Sequence, residues 1–372
     1  MSFIAAALRT PVAPRGGVLK ALLPHELAHP VLRALLEQAG LKAEDVDQVI
    51  LSNALGGGGN PARVAALAAG MDHVSGITID AQCAGGLDAV ALAAALIDAG
   101  QADVVLAGGA ESFSRRPLRA HTFPDGREPE FYTRPPFSPF PDADPDMADA
   151  ADILARDAGI SRVEQDDYAL QSHARALAAR DRMGAEIVPL GGLDHDSFTR
   201  NLSPRLAARA PVVSGSVSMV ATAVEADAAA FCLVVSQRVL DRLSTANPVE
   251  IVASSNAGGD SRLPGIAPVR AVARALQKAG LAPSDLDAVE MMEAYAAQAM
   301  ACIREAGLPE DRVNARGGAL ARGHPIGASG TILACRLFHD LGAGEVGLCA
   351  IAAAGGIGSA MILRRGVEPN RT

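Results

Sequence analysis

Two side chains in this sequence have the type and the setting for nucleophilic chemistry, Cys83 and His324. Cys83 stands where an apolar run, residues 76–80, passes through Ala81-Gln82 into Ala84-Gly85-Gly86 and then a helix. A cysteine at such a strand-to-helix junction meets backbone N–H groups and the positive end of the helix dipole, which favour a thiolate. His324 lies in Gly323-His324-Pro325-Ile326-Gly327-Ala328-Ser329-Gly330, and an imidazole beside a thiol can take its proton and later return it. Each also has a plainer reading, since a lone cysteine is commonly a small buried hydrophobe and a lone histidine a structural group. Gly355, Gly356 and Gly358 let backbone approach a ligand and line up N–H groups as an oxyanion hole. A tight hairpin explains that run equally well, as it does the glycines at 56–59 ahead of Asn60-Pro61.

What could bring residues 83 and 324 together is an internal duplication. Gln38-Ala39-Gly40-Leu41 followed by Asp45-Val46-Asp47 recurs as Lys278-Ala279-Gly280-Leu281 followed by Asp285-Leu286-Asp287. Residues 85–106 likewise parallel 327–348, with Gly100 matching Gly342 and Val104 matching Val346. His324 then falls one residue from the equivalent of Cys83, and a pseudo-twofold axis would make them neighbours. Each copy reads as an amphipathic helix (28–39 in the first), a strand (46–51), a Gly-rich turn, a buried helix (87–99) and a buried strand (103–107). Alternating strands and helices, with strands that are continuous apolar runs, predict mostly parallel sheets covered by helices on both faces. Between the copies, residues 113–211 differ in character. They hold many of the prolines and Arg115, Arg116, Arg119, Arg127 and Arg134. They contain one good helix, 163–182, with Ser161 and Glu164 at capping-box spacing.

Composition narrows the function classes. A chain of 372 residues exceeds one ordinary core, so two domains or a duplicated one are expected. Tryptophan is absent, aromatics are 3% and the net charge is −9, which argues against nucleic-acid binding and leaves an anionic ligand to a local pocket. Five cysteines without a CxxC pair (Cys83, Cys232, Cys302, Cys335, Cys349) suggest neither disulfides nor a zinc site, and point to a reducing compartment. The first ten residues read as a buried strand instead of a signal peptide. The uncharged stretch 346–363 has the length of a membrane span, but its glycines at 347, 355, 356 and 358 favour two buried strands joined by a turn. A cytoplasmic protein without a membrane anchor is the expectation.

Taken together, the chain resembles the thiolases, the acyl-CoA C-acyltransferases, nearly end to end. The resemblance is carried by Arg9-Thr10-Pro11, Gly59-Asn60-Pro61-Ala62-Arg63, Cys83-Ala84-Gly85-Gly86-Leu87 and Ala107-Gly108-Gly109-Ala110-Glu111-Ser112, then Glu186-Ile187-Val188-Pro189, Glu293-Ala294-Tyr295 and Gly317-Gly318-Ala319 through Gly330. It implies an α/β thiolase fold, five layers αβαβα, built from two duplicated halves with an inserted loop domain. Residues 1–112 with 211–245 would form the N-terminal half, 113–210 the inserted loop domain and 246–372 the C-terminal half. It implies ping-pong acyl transfer from a coenzyme A thioester, which is substrate and not a bound cofactor, through a Cys83 acyl-enzyme. His324 would activate Cys83, the backbone N–H groups of Cys83 and Ala354 would form the oxyanion hole, and Ser218 would lie near the pantetheine arm. No metal is implied, and a homodimer or tetramer is expected.

Two departures stand against this pattern. Met292 replaces the Asn that precedes Glu-Ala-Phe in the family, and Ala352 replaces a second Cys before the glycine run. Methionine cannot donate the hydrogen bond that orders a water, and alanine can neither remove an α-proton nor return one. Cys349, three residues away on a strand, should face the opposite side. His324 is then left as the only base. Alternatives to ordinary thiolase chemistry are therefore decarboxylative condensation, another acceptor, thioester hydrolysis, or a non-catalytic coenzyme A-binding partner subunit. Gly85 and Ala148 also stand where a Ser and a Gly are often found.

Overall fold

The computed structural model describes residues 1–243 and 247–366; the expected boundary between 245 and 246 lies outside the described residues. The strands that matter here are β1 (Ser2–Arg9), β2 (Gln48–Ser52), β3 (Ile77–Ile79), β4 (Val104–Ser112), β5 (Ala226–Ser236), β6 (Val249–Gly258), β7 (Ala288–Met291), β8 (Val346–Ala353) and β9 (Ile357–Arg365). The helices are α1 (Pro24–Ala39), α2 (Pro61–Ala68), α3 (Gly85–Asp98), α4 (Met147–Asp157), α5 (Arg162–Ala178), α6 (Pro268–Ala279), α7 (Ala296–Glu305) and α8 (Ile326–Asp340).

The duplication is visible in hydrogen bonds. Helices α1 and α6 both begin with proline, whose missing N–H costs nothing there, and both stop at a left-handed glycine, Gly40 and Gly280, each at φ 67°. In each copy the aspartate that follows pins the start of a buried strand. Asp47 N–H donates to Val104 O at 3.0 Å and its carboxylate accepts from Val104 N at 2.9 Å; Asp287 repeats both bonds with Val346, at 2.8 and 2.9 Å.

The strands join in the order β7-β8-β9-β6-β1-β5-β4-β2-β3, the two halves meeting where β1 pairs with β6 through Phe3–Glu250 and Ile4–Val249. The mostly parallel sheets expected from the apolar runs are not found. Only β2–β3, β2–β4 and β7–β8 pair in parallel, while β1–β5, β4–β5, β1–β6, β6–β9 and β8–β9 are antiparallel. Strands such as β5, buried along nearly their whole length, read as continuous apolar runs because helices cover both faces, whichever way the neighbours run. Stretch 346–363 is the antiparallel hairpin β8–β9, turned at Gly355 and Gly356 (φ 78° and 80°).

Five layers result. Helices α1 and α2 cover one outer face, burying Leu27, Leu32, Leu35 and Ala66 against Leu51, Leu106 and Phe231. Helices α6 and α7 cover the other, with Val272, Leu276 and Ile303 against Leu348 and Ile362. Between the two half-sheets lie α3 and α8, whose Leu87, Val90, Leu333 and Leu337 pack with Ile50 and Val105 on one side and Ile351 and Met361 on the other. The segment between the copies packs against the second half: Leu154 of α4 and Ile160 meet Ala297 and Ala301 of α7. Ser161 and Glu164 form the capping box of α5, but the helix stops at Ala178, not 182, where a 3-10 turn over Arg180–Ala185 takes over.

Candidate active site

The two candidate residues stand just ahead of the central helices α3 and α8, whose first turns touch. Gly86, Gly327 and Gly330 let them touch: a Cβ on Gly86 would lie 2.7 Å from Gly327 O, and one on Gly330 would lie 2.4 Å from Leu87 N. Cys83 precedes α3 by two residues and His324 precedes α8 by two, so close approach of the helices brings His324 Nε2 to 3.2 Å from Cys83 Sγ. The turn into Cys83 is tight. Gln82 is left-handed at φ 52°, and Asp80 Oδ1 accepts its N–H at 2.8 Å, an arrangement of the kind that stores strain at functional sites. His324 is fixed by its own N–H, which donates to Val224 O at 2.8 Å.

Ser329, five residues beyond His324 in the same glycine-rich motif, sets the tautomer. Its hydroxyl donates to Pro325 O at 3.0 Å and lies 2.6 Å from His324 Nδ1. Nδ1 is then the protonated nitrogen, and Nε2 is free to accept from the Cys83 thiol. Burial pushes the imidazole down to about 4, helped by the Arg322 guanidinium. Burial pushes the Cys83 thiol up to about 12, against the lowering effect of the backbone N–H groups of Ala354 and of Cys83 itself. The resting pair is therefore thiol and neutral imidazole. Glu111, another motif residue, braces the site from behind: its buried carboxylate accepts from Asn53 Nδ2 (2.6 Å), Ala54 N (2.9 Å) and Gly327 N (3.1 Å), and burial pushes it up to about 7.

Cys83 and His324 open on a cavity of about 310 Å³, within the size range of small-molecule sites, with Ala352, Ala353 and Ala354 on one wall and Phe113, Phe137 and Met147 on another. A more open depression of about 580 Å³ beside Asp103 and Arg238 contains no nucleophile and shares no lining residue with it.

The other candidates distribute unevenly. Ala352 faces the cavity, whereas Met292 is fully buried in the core between the layers and does not line it. Cys349 packs in that inner core with Ile351 and Ala353, while Leu348 and Ala350 face the outer helices, so it stands on the other face from Ala352. Ser218 is not brought to the cavity. It is fully buried, donates to Asp166 Oδ1 at 2.5 Å and accepts from Ala221 N at 3.2 Å; Ala223 and Glu225, further along the same stretch, are the residues that reach the wall. Among the described residues no group of three or more His, Cys, Asp or Glu could hold a metal, and no helix is long and apolar enough to cross a membrane.

Residues 2–231 match the family model "Thiolase, N-terminal domain" and residues 246–365 match "Thiolase, C-terminal domain". The chain belongs to the thiolase family. It is similar to a putative acetyl-CoA C-acetyltransferase, YhfS, of Bacillus subtilis, 39% identical over 369 residues covering 96% of this chain and 97% of that one. A second relative, the putative acetyl-CoA C-acetyltransferase VraB of Staphylococcus aureus, is 35% identical over 375 residues, covering 97% and 98%. The crystal structure of the Bacillus anthracis acetyl-CoA acetyltransferase superposes with a TM-score of 0.89 at 31% identity, covering 98% of both chains. This thiolase is accordingly an acyl-CoA C-acyltransferase with the fold expected from its motifs.

Proposed function

We propose that Cys83 is the acylated nucleophile of a ping-pong acyl transfer, a reading carried by the 3.2 Å contact between Cys83 Sγ and an unprotonated His324 Nε2. The donor thioester enters the cavity with its carbonyl oxygen toward the N–H groups of Cys83 and Ala354, which stabilise charge as the carbonyl becomes tetrahedral. The thiol proton passes to His324 Nε2, the Sγ–carbon bond forms, and the bond to the coenzyme A sulfur breaks as that thiolate takes the proton back. Acetyl-CoA, for which the relatives are named, is the first donor to try. Coenzyme A thioester serves as substrate, no bound cofactor or metal takes part, and Ser218 acts by holding Asp166 instead of touching pantetheine. The protein acts in the cytoplasm as a homodimer or tetramer, and divides into halves 1–112 with 211–245 and 246–372 around a loop domain at 113–210.

Ala352 on the cavity wall favours a second reading of the second half-reaction. With no thiol there and Cys349 on the other face, His324 is the base in contact with Cys83 among the described residues, Glu225 on the same cavity wall being engaged by Arg15. An acceptor that loses carbon dioxide generates its own carbanion and needs no base.

Incubation with acetyl-CoA and longer acyl-CoAs, read by intact mass, tests the first half-reaction. An acyl adduct is expected on the native protein and not on Cys83→Ala; coenzyme A release without a Cys83-dependent adduct would overturn it. Thiolysis at rates ordinary for acyltransferases would sink the second reading.

A further inference from the structure

Three guanidinium groups, of Arg116, Arg119 and Arg134, line the cavity that holds Cys83. Their charges are unequally met. Arg134 is neutralised, with Nη2 2.5 Å from Asp144 Oδ1 and a further bond to Pro145 O. The one carboxylate among the described residues on the cavity wall, Glu225, is held at 2.7 Å by Arg15, which lies outside the lining, and Arg116 is left 3.9 Å from it. Arg119 donates to the Ala54 carbonyl at 3.1 Å, and among the described residues no carboxylate lies within ion-pair reach of it. His324 is neutral and adds nothing. The cavity thus presents two incompletely compensated guanidinium groups beside apolar walls from Phe113, Phe137 and Met147.

A hydrocarbon acyl chain would desolvate these groups and offer them no partner, which is costly. A carboxylate would bond to them in the paired geometry that guanidinium groups favour. Coenzyme A supplies other anions, its phosphates, but the long pantetheine arm carries them away from the thioester sulfur that must reach Cys83. We propose that the acyl chain accepted at Cys83 ends in a carboxylate, so that the substrate is the half-thioester of a dicarboxylic acid, with Arg116 and Arg119 binding its distal end. The proposal rests on the reading that Cys83 becomes acylated, and the test separates the two.

Acylation of Cys83 is followed by intact mass with glutaryl-CoA against valeryl-CoA, and adipyl-CoA against hexanoyl-CoA, pairs that differ in the terminal group. The dicarboxylic member of at least one pair is expected to react about tenfold faster or more, since a site built around a polar group discriminates strongly against a ligand lacking it. Arg116→Gln and Arg119→Gln should each bring that ratio toward one, the apolar thioester serving as the internal measure of a folded site. The preference should persist with N-acetylcysteamine thioesters, which carry no phosphate. Equal rates within both pairs would overturn the proposal alone. So would arginine variants that slow both classes of coenzyme A thioester alike while leaving N-acetylcysteamine thioesters untouched, because the arginines would then be reading phosphate. Absence of an adduct from every donor, acetyl-CoA included, would overturn the Cys83 reading and this one with it.

Discussion

Burial pushes the Cys83 thiol up to about 12 and the His324 imidazole down to about 4, so proton transfer has to accompany attack instead of preceding it. His324 acts as a base while neutral, which it is above about pH 4. Single-turnover acylation should therefore stay flat between about pH 5.5 and 8.5 and fall only below that range. An inflection near 6.5, the ordinary value for histidine, would show that the pair is far less buried in solution. The cavity wall at Ala352 permits a gain-of-function test. Ala352→Cys puts a thiol where the α-proton of a second acyl-CoA could be reached, and thiolysis and condensation should rise by about a hundredfold, the lower range for a positioned acid–base group. Unchanged rates would mean that some other feature, such as the methionine buried at 292, limits the second half-reaction.

The pair of helices α3 and α8 decides whether these residues meet, and glycines decide how near the helices come. Gly109, on β4, is the tightest of them. A Cβ there would lie 1.9 Å from Gly327 O and 2.6 Å from Gly327 C, backbone atoms that can yield only if α8 moves. Gly109→Ala should cost more than about 3 kcal/mol, the upper range for overpacking, or prevent folding. If denaturant unfolding shows a loss below about 1 kcal/mol, α8 shifts easily and glycine packing does not fix the Cys83–His324 distance.

Across the whole molecule, a buried ionic network ties together segments far apart in the chain. Glu186, within the segment between the copies, lies 2.6 Å from Arg9 of β1, 3.1 Å from Arg316 and 3.9 Å from Arg336 of α8, while Arg336 also meets Glu290 of β7 at 3.0 Å. Burial alone would raise the Glu186 carboxyl, but the three guanidinium groups outweigh it and hold it at about 2, below its ordinary 4.5. Between those values the unfolded chain binds the extra proton, so this stabilisation is complete above pH 4.5 and is lost as pH falls toward 2. Glu186→Gln takes one carboxylate from three buried cations, each of which keeps another (Arg9 with Asp196, Arg316 with Asp340, Arg336 with Glu290), and should cost about 3 kcal/mol at neutral pH, the lower end for breaking a buried pair. Its stability should also depend less on pH in the acid range, measured by urea unfolding; parallel acid limbs for variant and native protein would discount the network.

Much of this was legible in the residues themselves. The repeated Ala-Gly-Leu and Asp motifs predict two copies, the Ser161–Glu164 spacing predicts the cap that α5 has, and the interrupted run at 346–363 predicts the β8–β9 hairpin, because each depends on local backbone chemistry. Cys83 and His324 stand out by their settings, and the duplication predicts that a pseudo-twofold axis makes them neighbours. Sheet direction was not legible, since burial on both faces erases the alternation that would distinguish an antiparallel strand. Nor could the sequence show that Ser329 sets the tautomer of His324, that Ser218 is turned into the core, or that Arg116 and Arg119 face the same cavity as Cys83. Those are relations between side chains far apart in sequence, fixed only when the glycine contacts bring the two central helices together and the intervening segment packs across them.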